Sequence, residues 1–302
     1  MQVNTAPAPP SGLRRPKGPK AGYESQVRAR DGTDWFSGLP FLAVHLVPVA
    51  VLATGFTATD ALIAAVLYVL RMFFITAGYH RYFSHRSYRL GRLGQFVMAL
   101  GGITAAQKGP LWWAGHHRRH HRYADTPRDV HSPKEGFWWS HVGWVLSRRY
   151  KEVDWDAVED LAKFRELVVL DRWQLSGPVA LGALCLAIAG WGGVVAFCIS
   201  TLVLWHATFS VNSIAHLYGS RRYATSDTSR NCWPVALLTL GEGWHNNHHH
   251  YPLAVRQGHR WWELDPSWYA IRALAAVGLA RDLRPVPKKA LSARLVGKAQ
   301  SG

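Results

Sequence analysis

The chain has 302 residues, room for one large domain or two small ones. Hydrophobic residues make up 48%, charged residues only 18%, and the formal net charge is +16. That balance suits nucleic acid or a membrane surface with anionic ligands. The apolar residues are gathered in long blocks, which excludes the soluble basic domain that nucleic-acid binding requires. Cys185 and Cys198 lie inside apolar blocks and Cys232 is isolated, so neither a disulfide framework nor a cysteine metal site is expected.

In chain order, residues 1–35 are rich in Pro, Gly, Arg and Lys, with no apolar core that would make a cleavable signal. They read as a disordered basic N-terminal tail. A membrane domain over 36–280 follows, then a flexible C-terminal tail over 281–302. Four stretches predict transmembrane helices: 39–56, 61–78, 178–191 and 194–211. The turns at 57–60 and 190–193 are short, so each pair predicts a helical hairpin. Arg71 interrupts the second span and calls for snorkelling or a partner inside the bundle.

Residues 93–107 are apolar but too few to span, and a lone crossing there would put one set of histidines opposite the others. An interfacial or re-entrant helix is predicted instead. The tail, the loop from Arg81 to Arg172 and the C-terminal region are basic. The positive-inside tendency therefore makes the histidine side cytoplasmic. Trp112, Trp113, Trp138, Trp139, Trp261 and Trp262 suit the headgroup level. The expected fold is an all-α membrane protein, four transmembrane helices under a cytoplasmic histidine-rich helical cap.

Histidine carries the chemistry. His117, His120 and His121 form an H-x-x-H-H cluster, and His245, His248 and His249 repeat it. On a helix such residues share a face, so each cluster predicts three nitrogens pointing one way. His80 and His85, five apart, do not share a face of an ideal α-helix and need a break or two approach directions. His216 stands four after Asn212. Nine imidazoles are too many for one ion and suit two. His45, His131, His141, His206 and His259 read as structural, and His45 and His206 as unpaired within the spans; His116 and His250 adjoin clusters but break the pattern.

Glu242-x-x-His245 is the sole Glu-x-x-His, which disfavours a carboxylate-bridged di-iron bundle, and no H-E-x-x-H marks a zinc hydrolase. Imidazole alone fits iron, copper, nickel or zinc. A membrane setting implies a substrate with a long apolar tail, whose oxidation needs dioxygen chemistry and favours iron.

GYHRYFSH at 78–85, HRRHH at 117–121, GFWWSHVGW at 136–144, VNSIAH at 211–216 and GEGWHNNHH at 241–249 closely resemble the membrane-bound acyl-CoA desaturases. The resemblance covers residues 40–275 and is to the bacterial Δ9 type. It implies an oxidoreductase that inserts a cis double bond into a saturated acyl chain, using O2 and two electrons at a di-iron site. Carried over by motif, the iron ligands are His80, His85, His117, His120, His121, His216, His245, His248 and His249. Asn212 holds a water beside one iron. Gln107, Trp113 and Thr208 line the kinked acyl tunnel, and Arg148 and Arg149 contact coenzyme A phosphates.

Gly115 stands where animal relatives carry an arginine that contacts the carrier, and Asn247 where they carry tyrosine. No fused haem domain follows residue 275, so a separate donor is implied: ferredoxin or rubredoxin with its reductase. The expected location is the bacterial inner membrane, multi-pass, with termini and metal site cytoplasmic. Alternatives are an acyl-lipid desaturase, a di-iron hydroxylase on the same scaffold, and a membrane metal transporter or sensor, the last disfavoured by the scarcity of ligands inside the spans.

Overall fold

The computed structural model describes residues 32–297; the basic tail expected at the N-terminus lies almost wholly outside them. The first apolar stretch forms α1 (Trp35–Leu46), then a 3-10 turn at Val47–Ala50 and a helical turn at Val51–Thr54. Thr57 starts the next helix with a capping box: its hydroxyl accepts from the Asp60 N–H at 3.2 Å, and the Asp60 carboxylate accepts from the Thr57 N–H at 2.9 Å. From there α2 (Ala58–Phe73) runs directly into a π-helix over Phe74–Ser84. The second span therefore continues six residues past its expected end at 78, and its last turns carry His80.

Helix α3 (Arg92–Ile103) has 12 residues, too few to cross a bilayer. Its Gly101 and Gly102 sit directly against the rings of Phe74 and Tyr79; a Cβ on Gly102 would lie 2.0 Å from Tyr79 Cε1. Helix α4 (Pro110–Tyr123) starts with Pro at its first position, which removes one unpaired N–H. Asp171, on α5 (Arg165–Arg172), caps it from outside by accepting from the N–H groups of Leu111 and Trp112, both at 2.9 Å. Gly109 is required there, because a Cβ would meet Asp171 Oδ1 at 2.2 Å.

The long segment α6 (Ser176–Asn212) breaks at Ala189–Gly190, where Gly190 takes φ +59°. The chain folds back at that point. Cys185, Phe197 and Cys198 share one apolar cluster, and Gly193 abuts the Cys185 carbonyl. The turn expected at 190–193 is thus seen one residue earlier. Arg71 is almost fully buried and ties α2 to this segment. It donates to Thr201 Oγ1 at 2.7 Å, to Ser200, and to the Phe197 and Thr104 carbonyls. A partner inside the bundle, not snorkelling, accommodates it.

Two helices, Ala58–Ser84 and Ser176–Leu217, are long and apolar enough to cross a membrane. Short helices complete the chain: α7 (Ile214–Leu217), α8 (Trp233–Leu238), α9 (His245–His250), α10 (Pro266–Ala276) and α11 (Lys288–Ser292). The only paired strands among the described residues, β1 (Arg89–Leu90) and β2 (Ala280–Arg281), run antiparallel.

Two expectations need correction. Trp112 is a core residue, 4% exposed, its ring stacked on Trp144, so it does not sit at the headgroup level as Trp138 and Trp261, both largely exposed, are free to do. Residues 281–297, read as a flexible tail, are tied down by backbone bonds: Arg284 N–H to Ser87, Ala224 N–H to Arg294, and Val296 N–H to Arg222.

Burial pushes the Asp171 carboxyl up to about 6. A folded-state pKa above the ordinary 3.8 means the native state holds its proton more tightly, so this group's contribution falls as pH rises through that interval. Asp171→Asn keeps the acceptor oxygen without the charge. Between pH 4 and 7 the thermal unfolding midpoint of the native protein should fall relative to that variant, a gap on the order of 2 kcal/mol; parallel curves would contradict the assignment.

Candidate metal centre

The five-residue spacing of His80 and His85 is resolved by π winding. In a π-helix the i→i+5 bond replaces i→i+4, so residues five apart become neighbours. The His85 N–H donates to the His80 carbonyl at 3.2 Å, and the two imidazole centroids lie 4.8 Å apart. Both H-x-x-H-H clusters do lie on helices, α4 and α9. They do not point their nitrogens one way, however. His80, His85, His117, His121 and His248 form one group, and His120, His216, His245 and His249 another, with ligand atoms within 4.8 Å of one another in each. Each cluster is split: the i, i+4 pair serves one group and the i+3 member crosses to the other. Side chains at i+3 and i+4 lie on opposite sides of the i position, so two helices facing each other serve two centres.

All nine rings converge through Nε2. The pairs His80–His248 (3.0 Å), His248–His121 (2.9 Å), His85–His117 (2.8 Å), His216–His245 (3.0 Å) and His120–His249 (3.2 Å) are each Nε2 to Nε2. Several of the opposite nitrogens are held by acceptors. His120 Nδ1 bonds Asp129 at 2.9 Å, His249 Nδ1 bonds Asp227 at 2.9 Å, and His80 Nδ1 contacts Glu242. His216 Nδ1 donates to Thr228 Oγ1 at 3.1 Å, whose own hydrogen goes to Asp125 at 2.7 Å. A neutral imidazole has one proton, and these partners place it on Nδ1. His120 and His249, each turned by a carboxylate at Nδ1, face each other Nε2 to Nε2 at 3.2 Å, an arrangement that a cation between them would use for ligation. The donor set fits metal ions.

Burial opposes the charged form of His120, but Asp129 outweighs it and raises that ring above the ordinary histidine value; most of its neighbours go the other way. Burial, then repulsion from neighbouring imidazoles, holds His85, His117, His121, His245 and His248 well below the ordinary histidine value. They stay neutral, as ligands must. Burial would raise Asp129, but His120 and His131 pull it well below the carboxylate range. It therefore stays ionised beside its histidine.

A cavity reaches both groups. His80 and His117 of the first line it, as do His120 and His245 of the second, with Asn212 among them. The helix stops at Asn212 and restarts at Ile214, so the expected i, i+4 register with His216 crosses a break. Gln107, Trp113 and Thr208 all line this cavity and bond one another: Trp113 Nε1–H to Gln107 Oε1 at 3.4 Å, Gln107 Nε2–H to Thr208 Oγ1 at 2.7 Å. Gln107 sits between left-handed Ala106 and Lys108, φ +54° and +68°. Arg148 and Arg149 do not line the cavity; Arg148 is exposed, and the Arg149 guanidinium lies 5.7 Å over the Trp139 ring.

Several residues here escape sequence reasoning. Asp125, Asp129, Asp227, Thr228, Glu242 and Gln257 all position metal-facing rings or their partners. A signal existed: the chain has only 19 acidic residues, and these carboxylates cluster around the histidine motifs. Arg81 holds Glu242 at 3.0 Å and Asp265 at 2.8 Å, fully buried behind His80. His131, read as purely structural, lies with His120 and Asp129 in a third group that could take a cation. His45 and His206, read as unpaired, bond each other at 3.0 Å, and His206 continues to His141 at 2.9 Å and thence to Ser213. These rings pin α1 to α6.

The model of fatty acid desaturases matches residues 56–282. The chain belongs to the fatty acid desaturase family. It is similar to an sn-1 stearoyl-lipid 9-desaturase of Synechocystis, 36% identical over 262 residues, 83% of this chain and 80% of that one. It is similar also to an sn-2 palmitoyl-lipid 9-desaturase of Nostoc, 36% identical over 282 residues, 89% and 94% of the two chains. An acyl-CoA 5-desaturase of Anemone leveillei is 36% identical over 263 residues, 85% and 82%. This desaturase is therefore an oxidoreductase acting on fatty acyl chains, and its histidine clusters could bind metal.

Asp227 fixes the tautomer of His249 from outside. Asp227→Asn should lower metal affinity about 10- to 100-fold with helicity unchanged, read as metal retained after dialysis against a chelator; full retention would contradict the assigned role.

Proposed function

We propose that the desaturase holds two irons, one in each histidine group, and converts a saturated acyl chain to a cis-9 alkene. The observation that carries this is the set of nine Nε2 atoms converging in two groups at one cavity. Five imidazoles in the first group exceed the four ligands of a structural zinc site, and removing hydrogen from an unactivated chain needs a redox metal. The balance is one acyl –CH2–CH2–, O2, two electrons and two protons to one –CH=CH– and two waters. When bound, the iron pair would supply the activation of O2, and O2 is the net oxidant.

The protein's own share is placement. Gln107, Trp113 and Thr208 form a bonded wall of the cavity, and we assign them to fixing which carbons approach the metals, since small displacements strongly affect rate. We assign Asn212, which lines the cavity, to holding a water beside one of the metals. Four crossings with the histidine cap cytoplasmic fit the two long helices, the fold-back at Gly190 and the apolar α1. A bacterial inner membrane and a ferredoxin or rubredoxin with its reductase complete the proposal.

Acyl-CoA is the carrier in the main reading, with Arg148 and Arg149 as phosphate ligands. A second carrier, an acyl-lipid, is favoured by one observation. Gly115 is buried with its Cβ position 3.2 Å from the Asp154 carbonyl, so an arginine there would need the Asp154 segment to yield by a few tenths of an ångström, and this chain presents none. The names of the cyanobacterial relatives agree with that reading.

Expression in a host lacking unsaturated fatty acids, followed by gas chromatography with double-bond location, tests the proposal; a 9-alkene supports it, and a hydroxylated chain would move it to hydroxylation. Pulse-labelled acyl-CoA and phospholipid pools separate the carriers, by which pool first acquires the alkene. Thr208→Val removes the acceptor of Gln107 at constant volume. We expect a several-fold drop in kcat and a rising fraction of misplaced double bonds; unchanged kcat and regiochemistry would remove these residues from the positioning role.

A further inference from the structure

The metal groups have a second exposure, opposite in character to the cavity. A polar recess of about 740 Å³ is lined by His121, Asp227 and His249 within, and by Arg122, Thr126 and Lys134 toward solvent. His121 belongs to the first metal group and His249 to the second, and their ring centroids are 4.5 Å apart. Neither lines the acyl cavity, where four others of the nine do. The two openings therefore meet the metal pair on different imidazoles, one apolar and one polar.

We propose that this recess is where a small acidic one-electron carrier protein docks and delivers its electrons. The inference rests on the desaturase reading above and adds the location of electron entry. Desaturation consumes two electrons per double bond, and a carrier with a single one-electron centre must visit twice. It cannot enter through the acyl cavity while substrate is bound. At the recess, one imidazole from each group comes to the wall, so an electron arriving there has a ligand of either metal at contact distance.

Charge complementarity specifies the partner. Arg122 and Lys134 are exposed at the rim, and exposed Arg128 stacks over Tyr123, itself part of the wall, with its guanidinium 5.3 Å from the ring. The carboxylates in the wall are buried and turned toward the metal groups, while the three cations are exposed at the rim. Asp227 is turned onto His249 and Ser229, and Asp125 onto Thr228. Within a Debye length of about 8 Å such a rim steers an acidic partner and raises its association rate. A membrane-embedded acceptor and a soluble donor gain most from such steering, because the donor must find one face only.

The test uses iron-loaded protein in nanodiscs, a plant-type [2Fe–2S] ferredoxin as probe, and the double variant Arg122→Glu/Lys134→Glu. Lys163→Glu/Arg165→Glu reverses two exposed cations that do not line the recess and serves as control. The recess variant should bind oxidised ferredoxin at least 10-fold more weakly at low salt. It should accept electrons from reduced ferredoxin correspondingly slowly in stopped flow, with a flattened dependence on ionic strength. Its iron content and its turnover with a small chemical reductant should match the native protein. Equal effects of the two double variants, or no binding of ferredoxin to the native protein at low salt, would overturn the docking site. Absence of turnover with the chemical reductant in the native protein would instead overturn the desaturase reading, so the two failures are distinguishable.

Discussion

The structure is organised by one convergence: nine imidazoles aim their Nε2 atoms at one another in a buried space. His120 and His249 show it most plainly. Each turns its Nδ1 onto a carboxylate and presents its Nε2 to the other at 3.2 Å. Nine imidazoles bring no negative charge of their own to any cation they could bind. Asp125, Asp129, Asp227 and Glu242, one layer further out, supply it while staying clear of the ligand positions. That division of labour keeps the metal positions free of bridging carboxylates and still balances their charge.

The fold serves this convergence. The π-helix at Phe74–Ser84 turns two histidines five apart into neighbours, and the buried ion cluster of Arg81 with Glu242 and Asp265 braces His80 from behind. Helix α4 is capped from α5 by Asp171, which fixes the start of the segment carrying His117, His120 and His121. Helix α9 has only six residues, and it gains its orientation from buried side-chain bonds: Asn246 accepts from the N–H groups of Arg222 and Tyr223, while Asn247 donates to Glu263. A short helix that is weak alone becomes rigid through such partners.

Much of this is legible from residue spacing. The two H-x-x-H-H clusters mark histidines that converge, Gly190 marks a turn, and the hydropathy of 61–78 marks the helix that delivers His80. What spacing could not give is set by tertiary contact. Helical periodicity assigned each cluster to one direction, and only the approach of a second cluster decides that its members divide between two centres. An α-helical template hides the kinship of His80 and His85, because π winding is stabilised by packing that no local pattern encodes. His45 and His206 lie 161 residues apart, and their pairing follows from α1 meeting α6. The acidic partners were visible as residues but not as partners, since a loop conformation such as left-handed Asp125, φ +59°, brings them into place.

The division into two centres is tested most directly by anomalous scattering at the iron edge from crystals of the iron-loaded protein. The account predicts two peaks, one enclosed by His80, His85, His117, His121 and His248, the other by His120, His216, His245 and His249. A single peak, or a second one seated instead among His120, Asp129 and His131, would contradict it.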